Sequence, residues 1–117
     1  MHTKSVLAVL ELIRRADQAA AARTAASKAR ATAQAETEKA AADVAQVRVR
    51  LTAVQTATPA DEEVQRERIE ALDAELHAAE QRHAHLREAQ AQAHAKEQRA
   101  QAKTERAERL WRSAHGA

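Results

Sequence analysis

Six histidines and 17 carboxylates are the residues of this 117-residue chain that could perform chemistry. Imidazole and carboxylate side chains bind zinc or transfer protons when a fold brings them together. Four histidines fall within one stretch, and no two of them have the four-residue spacing of a helical zinc pair; they are His77, His83, His85 and His94. We therefore interpret them as surface or interface residues, and we expect no metal and no other cofactor.

Motifs for nucleotide binding and for acyl transfer are missing from the sequence. No GxxxxGKS/T phosphate loop and no GxSxG nucleophile elbow occurs, and the single glycine is Gly116. The chain contains no cysteine, which excludes disulfides and thiol chemistry and is typical of a cytoplasmic protein. We expect a protein that is not an enzyme.

The composition indicates long helices rather than a globular core. The 44% hydrophobic content is mostly alanine, so large apolar side chains are too few to fill a core at this length. Ala, Arg, Gln and Glu favour helix, and Gly and Pro occur once each. No run of about twenty apolar residues could span a membrane, and "SVLAVLELI", residues 5–13, lacks the cleavage site of a signal peptide. The predicted fold class is all-α.

The single proline lies near the middle of the chain, within "VQTATPADEEVQ", residues 54–65. Thr58, Pro59 and Asp61 match a capping box in which Thr58 is the N-cap and Pro59 is the first helical residue. Proline also disfavours helical geometry at Thr58, which ends the preceding helix. The pattern predicts helix 1 at about 3–57, a turn at 57–59 and helix 2 at about 59–113.

Apolar residues at heptad spacing predict how the two helices pair. Folding the chain at Thr58 would place Val47 opposite Ile69 and Val44 opposite Leu72. The sequence therefore predicts a single antiparallel coiled-coil hairpin of two long helices over residues 1–117, although two straight chains paired as an antiparallel dimer would satisfy the same pattern. The large residues of the predicted seam are Val44, Val47, Leu51, Ile69, Leu72 and Leu76.

One pair of charged residues occupies opposed seam positions in this pairing. Arg23 and Glu97 could form an ion pair between the helices and fix their register. The alternative is that both side chains extend into solvent from a thin two-helix interface. We favour the alternative as regards stability, because an exposed pair contributes only about 0–1 kcal/mol.

Charge is distributed unevenly along the chain. Residues 61–80 hold eight carboxylates and two arginines, whereas residues 1–35 hold six cations and two carboxylates, and residues 96–112 hold six cations and three carboxylates. The helix dipole favours acids at a helix start and bases at a helix end, which accounts for helix 2. It does not account for the basic start of helix 1, so we expect the two chain ends to meet an acidic partner.

An apolar segment beside these cations suggests a protein-binding surface. "SVLAVLELIRR", residues 5–15, is apolar over a wider face than one partner helix can cover, and a tryptophan follows near the other end of the chain. Exposed apolar residues with Arg and Trp are typical of binding hot spots. Self-association and a membrane-surface helix are the alternatives, the second being weaker because the run is two turns long. The candidate partner-binding residues are Val6, Leu7, Leu10, Arg14, Arg15, Arg106, Arg109, Leu110 and Trp111.

Two segments resemble the FliJ/YscO-like stalk proteins of type III secretion and flagellar export. They are "VLAVLELIRRAD", residues 6–17, and the basic "AKEQRAQAKTERAERLWR", residues 95–112, and the chain is similar to that family in length and helical pattern. In that family a helical hairpin inserts into a hexameric export ATPase ring, and its other end contacts the export gate. The resemblance implies a non-enzymatic coiled-coil stalk or adaptor with those two partners. It also implies a cytoplasmic location, peripheral to an inner-membrane export complex.

Two further function classes compete with this expectation. A generic coiled-coil scaffold or chaperone would bind a helical partner through the apolar and basic residues near the chain ends. Nucleic-acid binding would use the same cations, but no basic region joins a parallel zipper and carboxylates are interleaved throughout. We therefore expect a protein partner and no nucleic acid.

Overall fold

The computed structural model describes residues 2–114, with side chains from residue 5 onward. It contains two helices, α1 (His2–Thr56) and α2 (Glu62–Ala114), and no strand within the described residues. The chain divides into two compact units. The terminal unit is Met1–Thr32 with Ala91–Ala117, and the turn unit is Ala33–Gln90. Residues 1 and 115–117 of the predicted hairpin lie outside the described part.

In the turn unit the two helices run antiparallel and share an apolar seam. The Thr37 hydroxyl lies 2.8 Å from the Ala33 carbonyl oxygen in its own helix and 3.2 Å from the Leu86 carbonyl oxygen across the seam. The buried apolar residues are Ala40, Val44, Val47 and Leu51 from α1, against half-buried Ile69, Leu72 and Leu76 from α2. Because these side chains recur at spacings of three and four, each helix turns the same face to the other.

In the terminal unit the helices are again antiparallel, and smaller side chains line the seam. Ala26, Ala100 and Thr104 are buried. The Thr104 hydroxyl lies 3.1 Å from the Ala19 carbonyl oxygen of α1 and 3.0 Å from the Ala100 carbonyl oxygen of its own helix. These contacts, with those of the turn unit, confirm the predicted all-α antiparallel hairpin.

The register of the pairing differs from the predicted one by about seven residues of α2, or two helical turns. The predicted fold put Val47 opposite Ile69, and the same fold would put Thr37 opposite Ala79 and Thr104 opposite Leu12. The Thr37 hydroxyl instead contacts the Leu86 carbonyl, and the Thr104 hydroxyl contacts the Ala19 carbonyl. The later start of α2, at Glu62 instead of Pro59, contributes to this shift because level positions on α2 then carry higher numbers.

The N-cap of α2 is Asp61, and the prediction of Thr58 in this role was wrong. Asp61 Oδ1 accepts hydrogen bonds from the backbone amides of Glu63 (2.9 Å) and Val64 (3.3 Å), and the Asp61 carbonyl accepts from the Gln65 amide at 3.0 Å. An aspartate N-cap accepts from amides of the first turn and places a full negative charge at the positive end of the helix dipole, whereas Thr58 would offer a neutral hydroxyl in the N-cap position. Pro59 consequently lies in the connection rather than in the first turn of α2.

Candidate protein-binding site

The groups that could perform metal chemistry lie apart from one another. Among the side chains that the structure describes, no three His, Asp or Glu residues lie close enough to hold a metal ion. Within the same residues, neither helix has a stretch that is long and apolar enough to cross a membrane.

The first surface is an apolar stripe on α1, formed by Val6, Leu7, Leu10 and Ile13 and called the α1 stripe below. Their exposed fractions are 56%, 60%, 55% and 38%, whereas the seam residues Val9 and Leu12 are half-buried. Leu10 and Ile13 each follow a seam residue by one position, which rotates them by about 100° from the seam. The α1 stripe is thus an apolar face that α2 does not cover.

The second surface is a groove between the helices of the terminal unit, called the basic groove below. It consists of two adjoining depressions of about 400 and 250 Å³, which share Ala19, Ala22 and Lys103. Its floor is alanine with Leu12 and Leu110 at one end. Of the described residues that line it, none is acidic and five are cationic: Arg15, Lys96, Arg99, Lys103 and Arg106.

The opposite side of the seam in the terminal unit carries balanced charge, unlike the basic groove. A depression of about 410 Å³ there is lined by Ala20, Arg23, Thr24, Ser27, Thr104 and Glu108. It carries one cation, one carboxylate and three hydroxyls, so its charges balance. Positive charge is therefore concentrated on one side of the seam and is not a general property of the terminal unit.

A small ion-pair network lies beside the α1 stripe. Glu11 Oε1 accepts from Arg14 Nη2 at 2.8 Å and from Arg15 Nε at 3.2 Å. The hydrogen bond from Arg14, supported by the charges of both arginines, holds the pKa of Glu11 below its ordinary value, against partial desolvation. Glu11 therefore pairs with both arginines on the same helix, beside the exposed apolar residues of the α1 stripe.

The sequence-predicted partner-binding residues do not form one patch. Val6, Leu7 and Leu10 lie on the α1 stripe, and Arg14 follows Leu10 by one turn. Arg15, Arg106 and Leu110 instead line the basic groove, where each precedes a seam position by one residue. Arg109 is exposed outside the residues that line the groove, and Trp111 is half-buried at a seam position. The two surfaces thus lie on different sides of α1.

Arg23 and Glu97 do not form the ion pair that the sequence analysis weighed against solvent exposure of both side chains, and Glu97 is not solvent-extended either, because it pairs with another arginine. Glu97 Oε2 accepts from Arg30 Nε at 2.8 Å, while Arg23 is exposed in the opposite depression. Side chains on both helices point toward their own N-termini, so the partners of a cross-hairpin pair have higher summed residue numbers than backbone positions at the same level. The changed register adds to this offset, and Glu97 therefore meets the cation one heptad further along α1.

Three functional features escaped the sequence analysis. Lys96, Arg99 and Lys103 were counted only as charge, although their spacings of three and four place them on one stripe with Arg106, which was a predicted partner-binding residue. The alanines of the groove floor carry no signal that separates them from other alanines. Gln65 also gave no signal, because its partners are backbone carbonyls at the end of α1.

Comparison with protein-family models, with curated proteins and with solved structures found no match to this chain.

Proposed function

We propose that this protein is a non-enzymatic helical-hairpin adaptor whose terminal unit binds a helix of another protein. The observation that carries the proposal is the α1 stripe. Large apolar residues are scarce in this chain, yet four of them are exposed within two turns of α1. Val6, Leu10 and Ile13 have the four-and-three spacing with which one helix packs along another.

The position of the α1 stripe favours a helix as the occupant. Leu10 and Ile13 adjoin the seam residues Val9 and Leu12, so a third helix placed there would extend the existing helix–helix interface. Burying a large apolar side chain is worth about 1.5–3 kcal/mol, and roughly half of each is still exposed, which makes about 3–6 kcal/mol for all four. Because association itself costs at least about 4 kcal/mol, the α1 stripe alone supports weak binding, and a second contact surface is needed.

The narrower form of the proposal is a stalk of a type III secretion or flagellar export apparatus. It rests on the resemblance of residues 6–17 and 95–112 to that family. In this form the partners are the ring-shaped export ATPase and a component of the export gate.

Photo-crosslinking in cells tests both forms. A crosslinking amino acid would replace Leu10 in the α1 stripe or, as the matched control, Val49, which is 69% exposed in the turn unit. We expect position 10 alone to crosslink one partner, within a helical segment of that partner. The purified partner should then bind the full chain, and Leu10→Gln should weaken this binding at least about tenfold while Val49→Gln changes it little.

The outcomes separate the alternatives. Crosslinks from position 10 to an export ATPase, with rebinding of the purified ring, support the stalk. Crosslinks to a different helical protein with the same dependence on Leu10 support an adaptor and reject the stalk. Crosslinks to a second copy of this chain alone, or equal effects of the two glutamine variants, overturn the adaptor function.

A further inference from the structure

The distribution of cations along α2 requires an explanation beyond solubility and the helix dipole. A favourable dipole contact for a cation is confined to the last turn of a helix. Lys96 and Arg99 lie about five and four turns, respectively, before Ala114, the last residue of α2. Solubility would be served by charges on any exposed face, yet these two cations, with Lys103 and Arg106, lie on the same side of the seam.

The cations on α2 recur at the spacing expected for contact with a second helix. Lys96 and Lys103 are seven residues apart, as are Arg99 and Arg106, which is about 10.5 Å along the axis. A facing helix with carboxylates at heptad spacing presents its charges with the same repeat, as flanking positions do in coiled coils. Arg15 supplies a fifth cation to the groove from α1.

We propose that the basic groove binds an acidic amphipathic helix of the partner protein, which packs there as a third helix of the terminal unit. This inference deepens the adaptor function and rests on it in taking the partner to be a helix. The alanine floor allows a helix axis to approach closely, because no large side chain stands between the backbones. Leu12 and Leu110 offer apolar contact at the end of the groove.

The apolar floor also favours a helix over nucleic acid. Phosphate groups gain from cations and from hydrogen-bond donors, and gain nothing from an alanine surface. An amphipathic helix uses both parts of the groove, since its apolar face covers the floor and its carboxylates meet the cations at the edge. Exposed charge pairs are screened by salt, so binding should weaken as salt rises.

The test uses the full chain and fluorescently labelled four-heptad peptides. The acidic probe carries Ala and Leu on its apolar face and Glu at both flanking positions, and the comparison probe carries Lys in place of Glu. Polyglutamate and a short DNA duplex serve as competitors. Fluorescence anisotropy would be recorded from about 50 to about 300 mM salt. We expect the acidic probe to bind and to weaken with salt, and the lysine probe not to bind.

Matched charge variants locate the binding. The test variant carries Lys103→Glu and Arg106→Glu in the basic groove. The control variant carries Arg23→Glu and Lys28→Glu, which change the net charge of the terminal unit by the same amount at positions that do not line the basic groove. All four side chains are exposed, and circular dichroism verifies that helicity is kept. We expect the first pair of substitutions to weaken binding of the acidic probe at least about tenfold and the second pair less than about threefold.

Several outcomes would overturn the proposal. Equal loss from both variants would mean that only net charge matters, and equal competition by polyglutamate would mean that the apolar floor is not used. Tighter binding of the DNA duplex would make the groove a nucleic-acid site.

If binding of the acidic probe required Leu10 and not Lys103, the groove proposal would fail while the adaptor function stood. Absence of binding would likewise reject the groove, and the crosslinks from position 10 would still decide the adaptor function independently.

Discussion

Arg30 Nε of α1 donates to Glu97 Oε2 of α2 across 2.8 Å, and this ion pair joins the two helices of the terminal unit. The side chain of Glu97 is only 18% exposed and that of Arg30 is 35% exposed, so solvent screens the pair less than a surface pair. The hydrogen bond from Arg30 holds the pKa of Glu97 below its ordinary value of 4.5, against desolvation, and the Ser27 hydroxyl and the charges of Arg30 and His94 also lower it.

This pair predicts an acid-dependent loss of stability. A carboxylate whose pKa is lowered by folding stabilises the folded state above its unfolded pKa, and the contribution disappears as pH falls below about 4.5 through the lowered value. Glu97→Gln should therefore reduce the free energy of unfolding at neutral pH. The difference from the unmodified chain should vanish in acid, as measured by urea unfolding from about pH 7 to about pH 3. A difference that stayed constant across this range would show that the ion pair does not couple to folding.

Gln65, a residue of α2, is predicted to stabilise the end of α1. Its Nε2 donates to the carbonyl oxygens of Val54 (2.8 Å) and Ala57 (3.1 Å), which lie where α1 ends. Gln65→Ala should lower the free energy of unfolding by about 1 kcal/mol, because these carbonyls lose a protein donor. Gln81→Ala is the control, since Gln81 is exposed on the same helix and the change in helix propensity is identical. Equal thermal unfolding of the two variants would contradict this role.

Substitutions at Asp61 and Thr58 test which of these two residues is the N-cap of α2. Asp61→Ala should cost about 1 kcal/mol, because the amides of Glu63 and Val64 lose their acceptor. Thr58→Ala should cost much less, since Thr58 lies in the connection before the N-cap. Denaturant unfolding of both variants makes the comparison. A larger loss from Thr58→Ala would restore the capping box that starts at Thr58.

Alanine substitutions at Val47 and, separately, at Val49 test which of the two valines faces α2. Val47 is 4% exposed and Val49 is 69% exposed, two residues apart on the same helix. Val→Ala raises helix propensity equally at both positions, so the difference between the variants reports burial. Val47→Ala should be less stable than Val49→Ala by about 1–2 kcal/mol, the value of two buried methyl groups with the cavity that they leave. Equal unfolding midpoints would mean that Val47 does not face α2.

The secondary structure was predictable because it depends on local properties. Helix propensity and the heptad repeat predicted two helices and the face that each turns to the other, and the lone proline predicted where α1 ends. The start of α2 was predicted three residues too early. Thr58 and Asp61 both suit an N-cap, and in the structure Asp61 is the cap. Gln65, in the first turns of α2, also donates to the Val54 carbonyl, a contact that no local pattern contains.

The partner surfaces were only half predictable. The apolar segment of α1 is wider than the face that one partner helix can cover, which predicted that Val6, Leu7 and Leu10 would be left exposed. These residues are exposed in the structure. The assignment of Leu110 to the same surface was wrong, because Leu110 precedes a seam residue of α2 and Leu10 follows one of α1, which puts them on opposite sides of the seam. Only the antiparallel pairing decides which flank of one helix adjoins which flank of the other.

The class of fold and the inward face of each helix follow from the amino-acid sequence alone, because both depend on residues within a few turns of one another. The register depends on the packing of α1 against α2, and the register in turn sets the partner of Glu97 and groups five cations around one groove. In the terminal unit the buried residues are small, and small side chains fit opposite one another in several registers, so local composition does not distinguish these registers. The observed register is held by contacts between distant residues that no local pattern contains, such as those from Gln65 to Val54 and from Arg30 to Glu97.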